Sequence, residues 1–341
     1  MSDQKVGSSK LKVESAANSA GVSNLQPSTF NLQPVSPGQR AWQRFKKNRA
    51  VSCSAIFLIF LLVVVMAWPL VLKMAGTTFA QTHNPDQLSD AQFSPPSAQH
   101  WFGTDLHGRD LFSRILFGAQ ISLLVGVVGA FISLIIGVLW GAIAGYAGGR
   151  TDAILMRIVD VLYSLPTIIF VIVLFTTVGE IIKQTHFVQN SPALEKSLRV
   201  ILLFVGLGAV SWLTMARIVR GQVLSLRSRA FVEASRALGA GTPRILFRHI
   251  IPNIFGVAIT YLALTMPAII LYESFLSYLG LGVQAPMASW GTLISDGVSN
   301  INPIRIYWWL IVFPGGILVA TLLALNFLGD GLRDAWDLKG K

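Results

Sequence analysis

Charge is what this sequence has least of. Only 13% of its 341 residues are Asp, Glu, Lys or Arg, against 53% hydrophobic, whereas a soluble domain carries roughly 25% charged residues. A chain so poor in charge cannot clothe a water-facing surface, which excludes a soluble globular enzyme. Cysteine is nearly absent. Cys53 stands alone, so neither an intrachain disulfide nor a thiolate metal cluster is available, and its place at the start of an apolar run reads as a small hydrophobe. The Gly-x-x-x-x-Gly-Lys-Ser/Thr phosphate loop is missing too. The nearest stretch, Gly145-Tyr-Ala-Gly-Gly-Arg-Thr151, has neither the spacing nor the Lys. Any ATP hydrolysis linked to this chain is therefore expected in a partner.

What the sequence has in abundance is uninterrupted apolar length. Residues 1–39 are Ser, Gln, Asn, Pro and Ala without apolar periodicity, and read as a disordered tail. The basic flank Arg40, Arg44, Lys46, Lys47 and Arg49 leads into Val51–Leu72, a charge-free run long enough to span roughly 30 Å of hydrocarbon. A cleavable signal peptide has an apolar core of roughly 7–15 residues close to its start, so this run is an uncleaved first span. Five more spans are expected over Leu116–Gly149, Ile154–Val178, Val200–Ala216, Ile254–Leu279 and Ile306–Leu328. The runs are continuously apolar, which predicts helices; barrel strands alternate over roughly ten residues. The fold class expected is all-α integral membrane with six transmembrane helices.

Basic residues orient these spans. With the N-terminus in the cytoplasm, 20 Lys and Arg fall inside and 7 outside, the asymmetry of the positive-inside rule. Both termini are therefore expected in the cytoplasm. The outer segments balance 7 basic residues against 7 acids, the inner segments carry +13, and Asp160 and Glu273 within the spans bring the formal net charge to +11. In a soluble chain such an excess would point to nucleic acid; here it is a topology signal. The same orientation places His249 inside and His83, His100, His107 and His186 outside, so no zinc-like set is expected.

Three local patterns carry more. In the second run, Gly129, Ser133, Gly137, Gly141, Gly145 and Gly149 recur every fourth residue, a groove for close helix packing in a membrane. In the outer segment, Gly103-Thr-Asp105 and Gly108-Arg-Asp110 read as loop punctuation, with the Asp side chains available to cap the following helix. The loop 217–252 reads as two short helices around a break. Phe231–Leu238 is rich in helix formers with Glu233 in its first turn, and Gly239 sits where a left-handed residue is wanted. Thr242-Pro243 supplies an N-cap and a first residue for a second helix ending before Pro252. Five Arg from Arg227 to Arg248 would suit a DNA reader or anionic lipid, but a loop between spans better fits docking of a cytoplasmic protein. Two acids lie inside the spans, where an acid is a functional candidate by default. Asp160 follows Arg157 by three residues and is expected to pair with it on one face; Glu273 is expected to hold the Ser274–Gly282 bend through hydrogen bonds.

Glu233-Ala234-Ser235, then Gly239, then His249-Ile-Ile-Pro252 resembles the EAA loop of ABC importer membrane subunits. Four further stretches extend the likeness to the C-type permease subunits of dipeptide, oligopeptide and nickel importers: Phe102-Gly-Thr-Asp-Leu-His-Gly-Arg-Asp110, Glu273-Ser-Phe-Leu-Ser-Tyr-Leu-Gly-Leu-Gly282, Ser289-Trp-Gly-Thr-Leu-Ile-Ser-Asp-Gly297 and Gly329-Asp-Gly-Leu-Arg-Asp334. Ser211-Trp-Leu-Thr-Met-Ala-Arg-Ile-Val-Arg-Gly-Gln222 is most similar to the oligopeptide branch. Ser235 stands where a second Ala is usual.

The resemblance implies a type I ABC importer permease fold in a bacterial inner membrane. Its divisions would be a cytoplasmic tail (1–39), a flank and first span (40–72), a periplasmic segment (73–115), a five-helix core with the coupling loop 217–252 (116–330), and a cytoplasmic end (331–341). It implies a homologous B-type permease, two ATPase subunits and a peptide-binding protein as partners, with ATP bound by the ATPases and neither cofactor nor catalytic residue in this chain. Glu233, Ala234, Ser235, Gly239, His249 and Pro252 would couple it to the ATPases. The alternatives are a dipeptide or nickel permease, an ion-driven transporter using Asp160 or Glu273, or a receptor using its tail.

Overall fold

The computed structural model describes residues 48–184, 192–284 and 287–336. The tail expected over 1–39, most of the basic flank, His186 and the last five residues lie outside the described residues. Among the described residues the protein is helical, with one isolated bridge between Thr104 and Asp110.

Helix α1 (Arg49–Met74) starts where the Asn48 side chain accepts from the Ala50 N–H at 3.1 Å. It is apolar all round. Val65 and Trp68 are buried, while Ile56, Ile59, Phe60 and Val63 stay exposed, as suits a helix with one face on protein and the other in lipid. A short α2 (Thr77–Thr82) and an outer loop lead to α3 (Leu111–Ala147). Asp110 caps α3 by accepting from the Ser113 N–H at 3.0 Å, as its position in the sequence predicts. The expected loop punctuation is present: Gly103 and Gly108 hold φ values of 77° and 70°, a conformation that favours glycine.

The third run departs from a single span. It forms α4 (Gly149–Ser164) and α5 (Thr167–Gln184), bent by 91° at Leu165–Pro166. The cause is local: the residue before a proline is driven out of the helical region, and Leu165 is extended at φ −80°, ψ 137°. The 18 residues of α5 measure about 27 Å, close to a full crossing by themselves. Five other helices have the length and apolarity of a span, and the bent pair makes six if counted as one.

Next, α6 (Pro192–Leu226) overruns its expected end at Ala216 by ten residues, because nothing in Arg217–Leu226 breaks a helix. After α7 (Ala230–Ala237), the chain passes through α8 (Thr242–Ile245) and a π-turn (Leu246–Ile250) into α9 (Ile251–Tyr278). The second loop helix therefore does not stop before Pro252. The widened turn carries the proline within the first turn of α9, and the Asn253 amide donates to the His249 carbonyl at 2.6 Å, re-satisfying backbone freed by the irregularity. An outer helix α10 (Trp290–Ser299) and the last helix α11 (Trp309–Trp336) complete the fold.

The centre is the pair α3 and α6, packed backbone against backbone in parallel. A Cβ on Gly137 would lie 2.6 Å from the Met215 Cβ, one on Gly145 would lie 2.9 Å from the Arg220 carbonyl oxygen, and one on Gly141 would strike the Ala216 carbonyl. Gly208 answers from the other side, 2.7 Å from the Gly129 carbonyl by the same measure. The predicted groove is thus filled from Gly129 to Gly145. Gly149 has open space around it and belongs to the start of α4, not to the groove.

Candidate functional site

The basic loop is built around one anchor. Val232 of α7 is fully buried among Met215, Val223, Ile245, Ile250 and Ile254, so α7 lies against the C-terminal end of α6 and the N-terminal end of α9. Its other face is open. Glu233 and Ala234 are exposed, and Leu238 is 88% exposed beside Phe231 at 41% and Phe247 at 62%. Gly239 has φ 78°, the left-handed turn expected after the helix, and the Ala240 N–H returns to the Ser235 carbonyl at 3.0 Å. Ser235 and His249 are brought together, Oγ to Nε2 at 3.4 Å, which ties α7 to the π-turn. Pro252 sits exposed in the first turn of α9. Arg227 donates to the Gly145 carbonyl at 3.2 Å, and Arg236 reaches the Tyr146 hydroxyl at 3.4 Å. The result is a rigidly rooted platform with exposed apolar side chains rimmed by arginines, a surface that suits protein docking.

The two membrane acids have different surroundings. Asp160 accepts from Arg217 of α6 at 2.7 Å, and that guanidinium lies 4.1 Å from the centre of the Tyr163 ring. Its partner is therefore Arg217, 57 residues on, and not Arg157 as the local spacing predicts. A bidentate pair, Asp152 with Arg220 at 2.5 and 2.6 Å, repeats the link one step nearer the inner end. Glu273 is fully buried. Its carboxyl accepts from Ser122 at 2.8 Å, Ser277 at 2.7 Å and Ser274 at 3.4 Å. The Ser277 hydroxyl in turn accepts from the Val283 N–H at 3.1 Å, so Glu273 does brace the bend that follows it.

Sequence reasoning missed the outer cluster. Asp105 accepts from the backbone N–H groups of His107 and Arg109, from the Arg109 side chain at 2.8 Å and from Arg114 at 2.5 Å. Burial alone would raise its pKa, but the Arg114 and Arg109 charges and the two N–H groups outweigh burial and hold the carboxyl below its ordinary value. His83 and His100 converge on Asp110, with Nδ1 3.3 and 3.0 Å from its two oxygens. Separations of 10 and 27 residues within an irregular segment carry no periodic signal.

With this geometry in hand, comparison with known proteins is decisive. Residues 137–339 match the family described as binding-protein-dependent transport system inner membrane component. The chain belongs to this family. Residues 36–96 match a second description, the N-terminal TM domain of oligopeptide transport permease C. Among relatives, the oligopeptide transport system permease protein OppC of Haemophilus influenzae is 42% identical over 92% of this chain and 92% of its own. OppC of Escherichia coli K12 is 43% identical over 89% and 93%, and the dipeptide transport system permease protein DppC of Bacillus subtilis is 42% identical over 93% and 90%. The inward-facing MetNI methionine ABC transporter contains a chain of the same fold, with a TM-score of 0.50 and 17% identity over 65% of this chain and 96% of that one. This protein is a multi-pass membrane permease component of an ABC importer, a system that works with ATPase and substrate-binding components.

Proposed function

We propose that this chain conducts oligopeptides inward across a bacterial inner membrane, by alternating access driven from separate ATPase subunits. The observation that carries this reading is α7: a short helix rooted by Val232, open on its other face, and joined by the turn at Gly239 to the stretch from Thr242 that runs through the π-turn into a membrane-crossing helix. Relatives named as oligopeptide permeases, at 42% and 43% identity over about nine-tenths of each chain, support the peptide cargo. The DppC relative keeps a dipeptide cargo as the second reading.

In the assembly we infer, a homologous B-type permease faces this chain, two ATPases dock from the cytoplasm, and a peptide-binding protein delivers cargo outside. Both termini lie in the cytoplasm, the side on which 20 of the 27 basic residues fall. ATP is bound by the partners; this chain supplies no catalytic residue, cofactor or metal. Glu233, Ala234, Ser235 and Gly239 form the contact, with His249 fixing Ser235 and Pro252 at the head of α9. Copurification from membranes tests the arrangement. The native chain is expected to carry ATPase subunits in stoichiometric amount, and Gly239→Pro, at a φ proline cannot adopt, is expected to insert normally and lose them. Retention of the ATPases by that variant would overturn the assignment.

A further inference from the structure

Helix α10 is wedged between the N-terminal part of α3 and the C-terminal part of α9. Trp290 is fully buried, Leu293 is 2% exposed, and the Trp290 indole N–H donates to the Ile115 carbonyl at 3.3 Å. Backbones touch at both ends of the wedge: a Cβ on Gly118 would lie 3.2 Å from the Ser289 carbonyl carbon, and one on Gly291 would strike the Ser274 carbonyl. Beneath the wedge lies Glu273. Ser122 and Ser277 each donate a hydroxyl proton to its carboxyl, and each hydroxyl oxygen accepts a backbone N–H from the outer segment: Trp290 onto Ser122 at 3.3 Å, Val283 onto Ser277 at 3.1 Å. A hydroxyl has one proton and two lone pairs. Glu273 takes the proton of each serine and so turns their lone pairs toward the segment they hold.

A cavity of about 440 Å³, lined among others by Arg114, Ser277, Val283, Leu293 and Asp296, lies beside the wedge. Free space therefore borders the latch directly. Glu273 lies near the outer end of α9, whose inner end runs unbroken through the π-turn to the loop carrying α7. The 23 residues from Ile251 to Glu273, with Pro267 among them, span about 33 Å along the axis. Helix α9 is thus the covalent path from the loop bearing α7 to the latch under α10.

We propose that α10 is an outer gate and that Glu273, acting through Ser122 and Ser277, is the positioning residue that holds it closed. This rests on the transport reading. The test uses the full complex with its ATPases and binding protein in proteoliposomes, a Cys53→Ser background, and a membrane-impermeant maleimide. Ala288→Cys, at a site 8% exposed next to the wedge, reports opening; Met287→Cys, at a site 39% exposed, is the control. Labelling at 288 is expected to be slow at rest and to rise at least ten-fold when ATP and vanadate trap the turnover state, with 287 reactive in both. Glu273→Leu is expected to give the fast rate without ATP. Ser122→Ala, which removes one hydroxyl and no bulk, is expected to give an intermediate rate that ATP still raises; a purely structural loss would erase the ATP response. Protection at 288 in both states while transport proceeds would overturn the gate, and protection in Glu273→Leu at rest would overturn the latch. The Glu273→Leu comparison is also read on the chain without ATPases, so a failure of the transport reading is a separate result.

Discussion

At the scale of single residues, long-range charge pairing does most to fix the membrane-facing chemistry. Asp105 and Arg114 have side chains 5% and 6% exposed, and removing one partner of so buried a pair costs about 3–5 kcal/mol. Asp105→Asn is therefore expected to lower the Tm of the purified protein markedly and to loosen the outer loop. The pH dependence has a definite sign. The folded carboxyl is held below its ordinary value, so its stabilisation is complete above the unfolded pKa of about 3.9 and fades as pH falls through the lower folded value. Thermal melts should show a full, pH-independent contribution from this site between pH 7 and 5 and a loss below about pH 4, absent in Asp105→Asn. A melt whose Asp105-dependent part changed near neutrality would contradict this account. None of these pairings was visible in sequence. Asp160 meets Arg217 across 57 residues and Asp152 meets Arg220 across 68, and no helical period relates residues so far apart.

At the scale of elements, the glycine row is the informative case. Spacing by four predicts a groove without saying what fills it; the structure fills it with α6, whose Ala216 carbonyl sits against Gly141. Gly141→Leu is expected to push α6 away from α3 and abolish assembly of a stable complex, whereas Gly221→Ala, facing open space from within α6, should be silent. Protease resistance of the purified variants separates the two. Local rules read well where local chemistry decides. Asp110 as a cap, Gly239 as a left-handed stop and Glu273 as the brace of the following bend are all legible in sequence. They fail where two rules compete. Pro166 falls inside the single span that apolarity predicts over Ile154–Val178, but its effect on Leu165 turns the chain by 91°; Pro252 predicts a stop, yet the π-turn before it and the Asn253 amide absorb it. A proline marks an irregularity; its neighbours decide whether the helix bends or continues.

At the scale of the molecule, the loop that bears α7 holds seven of the 27 basic residues, Arg217 to Arg248. The α7 platform presents Phe231, Leu238 and Phe247 as exposed apolar side chains among the arginines of its loop. That surface is expected to meet the ATPases. Coupled turnover measures this most directly: cargo-stimulated ATP hydrolysis and peptide uptake, recorded together in proteoliposomes holding the whole complex. Native protein should hydrolyse faster when peptide-loaded binding protein is added. Leu238→Asp, which changes only an 88% exposed side chain, should leave the chain inserted while both stimulation and uptake collapse. Full stimulation and uptake with Leu238→Asp would contradict the account.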